Sequence, residues 1–561
     1  MALYTVKEKF KVYKGEKSAE PKYRKELSGL IIKDFGKGPF SQEEITSIIR
    51  FCLNYYIEKF TAICHQESTF YFYQSVLHFH EDATELAVLN RGVTNHSIIT
   101  GEYLAFYRRV LKFILELGCE VNMRIVVPTK ADRPRLEKVL DDLLFLGDMI
   151  LMCVSIYAEQ SMVEDVGELE FDKDDLYVFS RRHHYNFIFD HISNTWGHNV
   201  EKVVIDDNGI DDLFNAMQRC LNVNYKDAGH IIASIHQEIH FSEGVLWENL
   251  PQNLSRLFGT PYADCEVFFK GLTLSKDNKM SLLNLACKPY NLKRYLYRPI
   301  IVWNINGKDF AVIGPNAWAE TMIQFTTNAI PWGKGPEEWM QNQCFERYVH
   351  DKEDQHDKWF DDAVEDILKT THCYYDRNVI KLVNKTGFIN VDIPGLGEVD
   401  FIIIAPHLKK ILIVDCKHLM SRYDSANQKN DYNAFTKGSK KTKSYNETMK
   451  AKVKWFSDNM DLIREHFLIK GNLALLDISG YSCEGVFFIN TPTLYMYNAD
   501  FRIYVLGSVK KLIDGNYQDT EFLFHIESED SVQLIKVPYP YLKKPKLFNI
   551  DLFDDDEEFV P

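Results

Sequence analysis

The sequence lacks the short motifs that mark several common metal and nucleotide sites. Its 11 cysteines include no C-x-x-C pair, which argues against a zinc ribbon or a thioredoxin-like redox site and favours reduced thiols. The segment "GLGEVD", residues 395–400, has glycines but no phosphate-loop lysine in the required pattern. In "HQEIH", His236 and His240 are one helical turn apart, but Glu238 does not directly follow the first histidine as a metalloprotease requires. These classes of site are therefore not expected.

Long apolar runs are also missing. No stretch of about 18 apolar residues occurs, so neither a membrane span nor a membrane partner is expected. The first residues, "MALYTVKEKFKVYKGEK", alternate in charge and have no apolar core of the signal-peptide kind. We find no internal repeat and no low-complexity linker. Together with the expected reduced thiols, these features predict a cytoplasmic protein.

What the chain does have is the composition of a large, acidic globular protein. It has 561 residues, of which 45% are hydrophobic, enough for several cores. Its formal net charge is −15. Such a chain binds nucleic acid poorly without a local basic strip, because affinity comes largely from neutralising phosphates.

Proline and glycine cluster in "NAIPWGKGPEEW", residues 328–339, and predict a domain boundary. We expect an α-rich, mixed α/β N-terminal region over residues 1–330, of unassigned role. A second domain is expected over 331–550, followed by an acidic tail, 551–561. The predicted helices are 41–64 (with a capping box), 101–118, 131–160, 208–221, 226–240, 337–370 and 441–468. The predicted strands are 121–128, 201–207, 376–383, 483–495 and 501–508, with a hairpin that turns at Asn306-Gly307.

The segment "GEVDFIIIAPHLKKILIVDCKHL", residues 397–419, predicts a second hairpin. If its turn is centred between His407 and Leu408, Asp400 lies opposite Asp415 and Glu398 lies opposite Lys417. Directly opposite residues on one face have Cβ atoms about 4.5–5.5 Å apart. Four ionisable groups therefore converge at one end of a small sheet.

A divalent cation would relieve the repulsion between the facing carboxylates Asp400 and Asp415. Mg²⁺ prefers oxygen ligands and commonly uses one or two carboxylates plus a substrate phosphate. Lys417 would then orient the attacking water and offset transition-state charge. The apolar runs "FIII" and "ILIV" are continuous rather than alternating, which predicts strands covered on both faces in an α/β sandwich.

The motif "GEVD" is followed, after fourteen intervening residues, by the motif "DCK". With this pattern, the chain resembles the PD-(D/E)xK, or restriction-endonuclease-like, nuclease superfamily over residues about 337–510. The resemblance implies an αβββαβ core, with a mixed sheet flanked by helices. It makes Asp400 and Asp415 metal-binding acids and Lys417 the catalytic lysine, and the carbonyl of Cys416 a further metal ligand. Val399 stands where the pattern has proline.

Family members often carry a further acid on the helix before the first core strand. "FERYV" offers Glu346 and "FDDAV" offers Asp361, while Glu365 is a third option. Asp361 is preferred because Val364 and Leu368 follow it on one helical stripe. A solvated acid on a helix face remains the alternative for each.

Lysines and aromatic residues alternate after the motif. Residues 431–454 carry a local net charge of +5. Such a basic strip could follow a phosphate backbone, although a solvated loop and helix face is the alternative. The expected nucleic-acid-binding residues are Lys437, Lys440, Lys441 and Lys443. Gln428 is a weaker candidate for the site, and "SRRHH", residues 180–184, more often forms a polar helix surface.

These observations predict a Mg²⁺-dependent endonuclease, with Mn²⁺ as a substitute. DNA is the favoured substrate and RNA the alternative. By family habit, such a chain is a candidate anti-phage or restriction effector, with a homo-oligomer or a defence-system protein as its partner. The opposing hypothesis is a catalytically silent nuclease-like scaffold that binds nucleic acid or a partner.

Overall fold

The computed structural model describes residues 2–15, 19–89, 98–163, 166–182, 207–241, 245–420, 425–438, 443–471, 477–518, 521–528 and 531–538. The acidic tail, 551–561, and most of the predicted strand 201–207 lie outside these residues. Within them, no helix combines the length and apolar character needed to cross a membrane.

Helices form most of the described chain. Their bounds are α1 Glu20–Phe35, α2 Gln42–Gln66, α3 Phe70–Thr84, α4 Gly101–Leu117, α5 Arg133–Met162, α6 Asp207–Leu221, α7 Tyr225–Phe241, α8 Asn249–Phe258, α9 Tyr262–Gly271, α10 Leu282–Cys287, α11 Pro315–Gln324, α12 Glu337–Met340, α13 Gln343–Leu368, α14 Ser425–Thr436, α15 Tyr445–Asp458, α16 Met460–Lys470 and α17 Leu506–Ile513. The five helices predicted before residue 330 are present within a few residues of their expected bounds. The predicted capping box of α2 is also present, between Ser41 and Glu44.

Strands are shorter and more widely spaced. Their bounds are β1 Ala2–Val6, β2 Phe10–Lys14, β3 Asn122–Met123, β4 Gly167–Phe171, β5 Tyr177–Arg181, β6 Val245–Leu246, β7 Thr273–Leu274, β8 Ile300–Ile305, β9 Lys308–Val312, β10 Tyr374–Val379, β11 Lys381–Asn384, β12 Gly387–Asn390, β13 Val399–Ala405, β14 Lys410–Lys417, β15 Ser482–Ile489, β16 Arg502–Val505, β17 Glu521–Ser528 and β18 Ser531–Pro538. The chain is thus mixed α/β, as predicted.

The chain divides into two compact units. The first holds Met1–Tyr157, Leu169–Phe179 and Val203–His356, and the second holds Ala158–Glu168, Ser180–Lys202 and Asp357–Pro561. The main division therefore falls inside α13, whereas the sequence suggested a boundary near residue 331.

In the first unit, β8 pairs antiparallel with β9 and parallel with β3 and β7, while β6 pairs with β9. The predicted β8–β9 hairpin is confirmed. Asn306 and Gly307 form its turn with φ of 50° and 80°, as a two-residue turn of this kind requires.

In the second unit, five strands form a mixed sheet in the order β10-β13-β14-β15-β16. The β10–β13 and β13–β14 pairs are antiparallel, and the β14–β15 and β15–β16 pairs are parallel. The segment between β14 and β15 carries α14, α15 and α16, because parallel neighbours need a crossover connection.

This sheet is covered on both faces, as the continuous apolar runs predicted. On one face, Ile402, Ile404, Ile411 and Ile413 join a core cluster with residues of α14, α15 and α16. On the other, Phe401, Ile403, Leu412 and Val414 pack with Phe360, Val364 and Leu368 of α13 and with α17. The strand ends that carry Asp400 and Asp415 therefore adjoin two layers of helices.

Several predicted elements were wrong in extent. The strand predicted over 483–495 ends at Ile489, the strand over 501–508 ends at Val505, and the helix over 337–370 is divided into α12 and α13. The strand predicted over 121–128 is limited to Asn122–Met123, and Val126 and Val127 are exposed. The strand over 376–383 is divided into β10 and β11, which Ile380 separates as a bend. The helix over 441–468 is two helices, since Asn459 (φ −125°, ψ 34°) leaves the helical conformation and caps both.

The expectation of reduced thiols throughout was also wrong for one pair. Cys220 and Cys344, 124 residues apart in sequence, form a disulfide in the first unit. The other nine cysteines are not disulfide-bonded. Cysteine spacing could not reveal this bond, because its two halves meet only through the tertiary fold.

Candidate active site

The hairpin β13–β14 has the register that the sequence predicted. Phe401 pairs with Val414, Ile402 with Ile413 and Ile403 with Leu412. The ladder ends at the Phe401–Val414 pair, and one further step in the same register sets Asp400 against Asp415. A short 3-10 turn, Pro406–Leu408, and Lys409 at a left-handed φ of 51° close the hairpin.

Asp400 is held by the backbone of the neighbouring strand. The Cys416 N–H donates to Asp400 Oδ2 at 2.6 Å, which ties the first acid to the residue between Asp415 and Lys417. Burial raises the pKa of the Asp400 carboxyl above its ordinary value. The Asp415 charge adds to this rise and the Lys417 charge opposes it.

Asp415 is more deeply buried, at 3% exposure. Its Oδ1 lies 2.6 Å from the ammonium of Lys452, which reaches the site from α15. Its Oδ2 lies 3.7 Å from the ammonium of Lys417. Two lysine ammonium groups therefore lie within 4 Å of one buried carboxylate. The sequence analysis counted Lys452 among the lysines of the basic strip. That assignment was wrong, because the Lys452 side chain is only 4% exposed.

Lys417 faces a pocket rather than the core. Its side chain is 22% exposed, and its Nζ lies 4.9 Å from the centre of the Tyr445 ring. Burial lowers the pKa of the Lys417 ammonium, but the Asp415 and Asp400 charges raise it by more, so the net pKa is above the ordinary value. Lys417 is therefore protonated at neutral pH.

Glu398 does not meet Lys417 as the register alone predicted. Its side chain is exposed and does not line the pocket. Glu398 contributes its backbone carbonyl, which accepts a hydrogen bond of 2.5 Å from the Lys452 ammonium. The strand ladder stops before this residue, so its side chain is not constrained to the face of Lys417.

The pocket has a volume of about 320 Å³ and lies at the end of the sheet. Its lining residues are Asp357, Phe360, Asp361, Asp400, Cys416, Lys417, His418, Leu419 and Tyr445. Asp415 is not among them; it is buried, and its Oδ1 contacts Lys452.

Asp361 is the upstream acid that shares this pocket. Burial raises the pKa of its carboxyl, although the Arg377 guanidinium 3.7 Å away opposes the rise. Glu365 instead pairs with Arg377 at 3.0 Å, away from the pocket lining. Glu346 belongs to the first unit. Of the three acids considered, Asp361 is the one placed beside Asp400.

The pocket also contains donors that the sequence did not single out. Asp357 lies one helical turn before Asp361, and its ligand atom lies within 4.8 Å of that of His418. The Trp359 and Phe360 rings pack against the His418 ring, with centroids 5.7 and 5.5 Å away. The i, i+4 spacing of Asp357 and Asp361 was a readable signal, since such residues share a helix face. His418 follows Lys417 directly.

Carboxylate oxygens dominate this donor set, which suits a hard divalent cation. Asp361 and Asp400 present oxygens to the pocket, and Asp400 is already oriented by the Cys416 N–H. The carboxylate residues of the pocket therefore suit a divalent cation. The Asp415 carboxylate fits less directly, because both of its oxygens face lysines.

The predicted basic strip is described only in part. Lys437 and Lys443 are exposed, whereas Lys440 and Lys441 lie outside the described residues. Gln428 is buried in α14 and does not line the pocket.

Of the remaining sequence candidates, Arg181 and Arg182 are described and do not line this pocket. Arg181 and Arg182 pair with Glu159 and Glu168. His183 and His184 lie outside the described residues, as do the side chains of His236, Glu238 and His240.

Comparison of the chain with protein-family models, curated proteins and solved structures gives no significant match.

Proposed function

We propose that the second unit is a metal-dependent nuclease that hydrolyses phosphodiester bonds, with DNA as the favoured substrate. The observation that carries this proposal is the shared pocket of Asp361, Asp400 and Lys417 at the end of a mixed sheet. Apart from the additional elements β11, β12, α14 and α16, the order α13–β10–β13–β14–α15–β15 is consistent with the αβββαβ core that the resemblance to restriction-endonuclease-like nucleases implies. Two acids and a pocket-facing lysine are the groups that this chemistry needs.

Within this proposal the protein residues have separate roles. Asp361 and Asp400 would hold a divalent cation, which supplies Lewis acidity and a more acidic bound water when present. The Lys417 ammonium orients the attacking water and offsets the negative charge that develops on the phosphoryl oxygens. The Cys416 N–H fixes Asp400, so that this carboxylate does not reorganise during the reaction.

The neighbouring lysines supply the electrostatic part of the proposal. Lys437 and Lys443 are exposed and could contact a phosphate backbone, offsetting the acidic net charge of −15. The preference for DNA over RNA and a role in anti-phage defence rest on the resemblance to the superfamily.

A catalytically silent scaffold is the second candidate, and one observation favours it. Asp415 does not line the pocket, and its oxygens face Lys452 and Lys417. A site of this kind could bind a phosphate backbone through its lysines without cleaving it.

A substrate panel separates the two candidates. The full chain is incubated with labelled single- and double-stranded DNA and RNA, with Mg²⁺, Mn²⁺ or a chelator. The nuclease proposal expects cleavage of DNA that requires the metal and stops with the chelator. Binding without cleavage on every substrate, in either metal, would support the scaffold instead.

A further inference from the structure

Lys452 is a buried cation of the second unit. It projects from α15, and its side chain is only 4% exposed. An ammonium group buried without partners would be strongly unfavourable. Its neighbours Lys450 and Lys454 are exposed, so Lys452 alone of these three points into the protein.

The partners of Lys452 belong to the two strands that carry the acids. Its Nζ donates to Asp415 Oδ1 at 2.6 Å on β14 and to the Glu398 carbonyl at 2.5 Å, directly before β13. Lys452 thus bridges the Glu398 carbonyl, which lies two residues before Asp400, and the Asp415 carboxylate. These are contacts of the short, charge-assisted kind.

The position of Lys417 depends on this arrangement. Among the described residues, Lys417 and Lys452 are the two cations within 4 Å of Asp415, at 3.7 and 2.6 Å. Because Lys452 makes the close contact, the Lys417 ammonium is left in the pocket beside Tyr445. Without Lys452, a shift of about 1 Å would bring Lys417 into direct contact with the buried carboxylate.

We propose that Lys452 is a positioning residue that neutralises Asp415 and thereby keeps the Lys417 ammonium in the pocket. The two lysines then have different partners: Lys452 neutralises the buried Asp415 carboxylate, and Lys417 is available to contact the substrate. The second half of this assignment rests on the proposed nuclease function. The first half concerns the protein alone and is tested without metal or substrate.

The test measures how fast Lys417 reacts with a trace amount of an amine-acylating reagent. The full chain is labelled without metal, digested, and the Lys417 peptide is quantified by mass spectrometry. In Lys452→Met, acylation of Lys417 should fall roughly tenfold, since a charged hydrogen bond must break before the amine reacts. Lys452→Arg keeps the charge and should retain most of the wild-type reactivity. Lys450→Met removes an exposed charge from the same helix and should leave it unchanged.

The double variant Asp415→Asn/Lys452→Met separates positioning from a general loss of structure. Once the Asp415 charge is gone, the attraction that would draw Lys417 towards that buried carboxylate is removed, so its acylation should return to near the wild-type rate. The double variant should also melt at or above the temperature of Lys452→Met alone. If the single variant does not fold, folding of the double variant supports the same assignment.

Unchanged Lys417 reactivity in a folded Lys452→Met protein would overturn the proposal. So would a double variant that fails to fold, because Lys452 would then be needed for something other than Asp415. Loss of nuclease activity plays no part in this experiment, so a protein that cleaves nothing still tests the role of Lys452.

Discussion

Gly485 lies on the sheet directly against α15, and replacing it with alanine should displace that helix. Gly485 is on β15 opposite Ile413. A Cβ atom at this position would lie 2.6 Å from Met449 Sδ and 2.7 Å from Val453 Cγ2, both on α15. These distances are well below van der Waals contact. Met449 is fully buried, so its side chain has little room to move aside.

The expected cost of Gly485→Ala is about 1–3 kcal/mol in the free energy of unfolding, the usual range for overpacking a core. Guanidinium-induced unfolding followed by tryptophan fluorescence would measure it, with Trp455 of α15 reporting on the second unit. The two units can unfold in separate transitions, so each transition must be assigned to its unit. Because α15 carries Lys452, the same substitution should also loosen the contact with Asp415.

Two further variants make this prediction specific. Gly507→Ala is the matched control: it lies in α17 with no atom within 4 Å of the added Cβ, and it should stabilise the protein by up to about 1 kcal/mol. Met449→Ala alone should cost about 2–5 kcal/mol, yet the Gly485→Ala/Met449→Ala pair should cost less than the sum. A Gly485→Ala protein within about 0.5 kcal/mol of wild type, or strict additivity in the pair, would refute the packing argument.

Two predictions concern the first unit. Burial raises the pKa of Glu81 from 4.5 to about 7, so its contribution to stability is complete below pH 4.5 and is lost as the pH rises through about 7. Glu81→Gln should remove up to about 3 kcal/mol of this pH dependence in denaturation measured across that range, and an unchanged slope would contradict it. The Cys220–Cys344 disulfide spans 124 residues and should stabilise the unit by about 4–5 kcal/mol in the chain-entropy treatment, so Cys220→Ser/Cys344→Ser should melt lower. Thiol titration of the unreduced, denatured protein should give nine thiols, and a count of 11 would exclude the bond.

Local patterns predicted the elements that local forces determine. The Asn306-Gly307 turn and the Ser41–Glu44 capping box follow from residues that are neighbours in sequence. The register of β13 on β14 was predictable for the same reason, since a short hairpin leaves few alternatives once its turn is placed. The cover on both faces of these strands followed from their unbroken apolar runs.

Features that depend on distant parts of the chain were not predictable. Lys452 looked like one more exposed lysine of a basic helix, because its partner Asp415 is 37 residues away. The break of that helix at Asn459 interrupts an otherwise continuous amphipathic pattern. The prediction that Glu398 faces Lys417 was wrong. The β13–β14 pairing does not extend to Glu398, so the strand register does not determine the direction of its side chain, which is exposed.

The central claim is that the pocket of Asp361, Asp400 and Lys417 cleaves phosphodiester bonds. The most direct measurement is the Mg²⁺-dependent cleavage of labelled DNA by the wild-type chain, Asp400→Asn, Lys417→Ala and the control Lys385→Ala, which alters an exposed lysine of the same unit. Nuclease chemistry at this pocket predicts that wild type and Lys385→Ala cleave, while Asp400→Asn and Lys417→Ala lose at least about 10²-fold in rate and remain folded. Equal cleavage by all four proteins would contradict it and place the activity elsewhere.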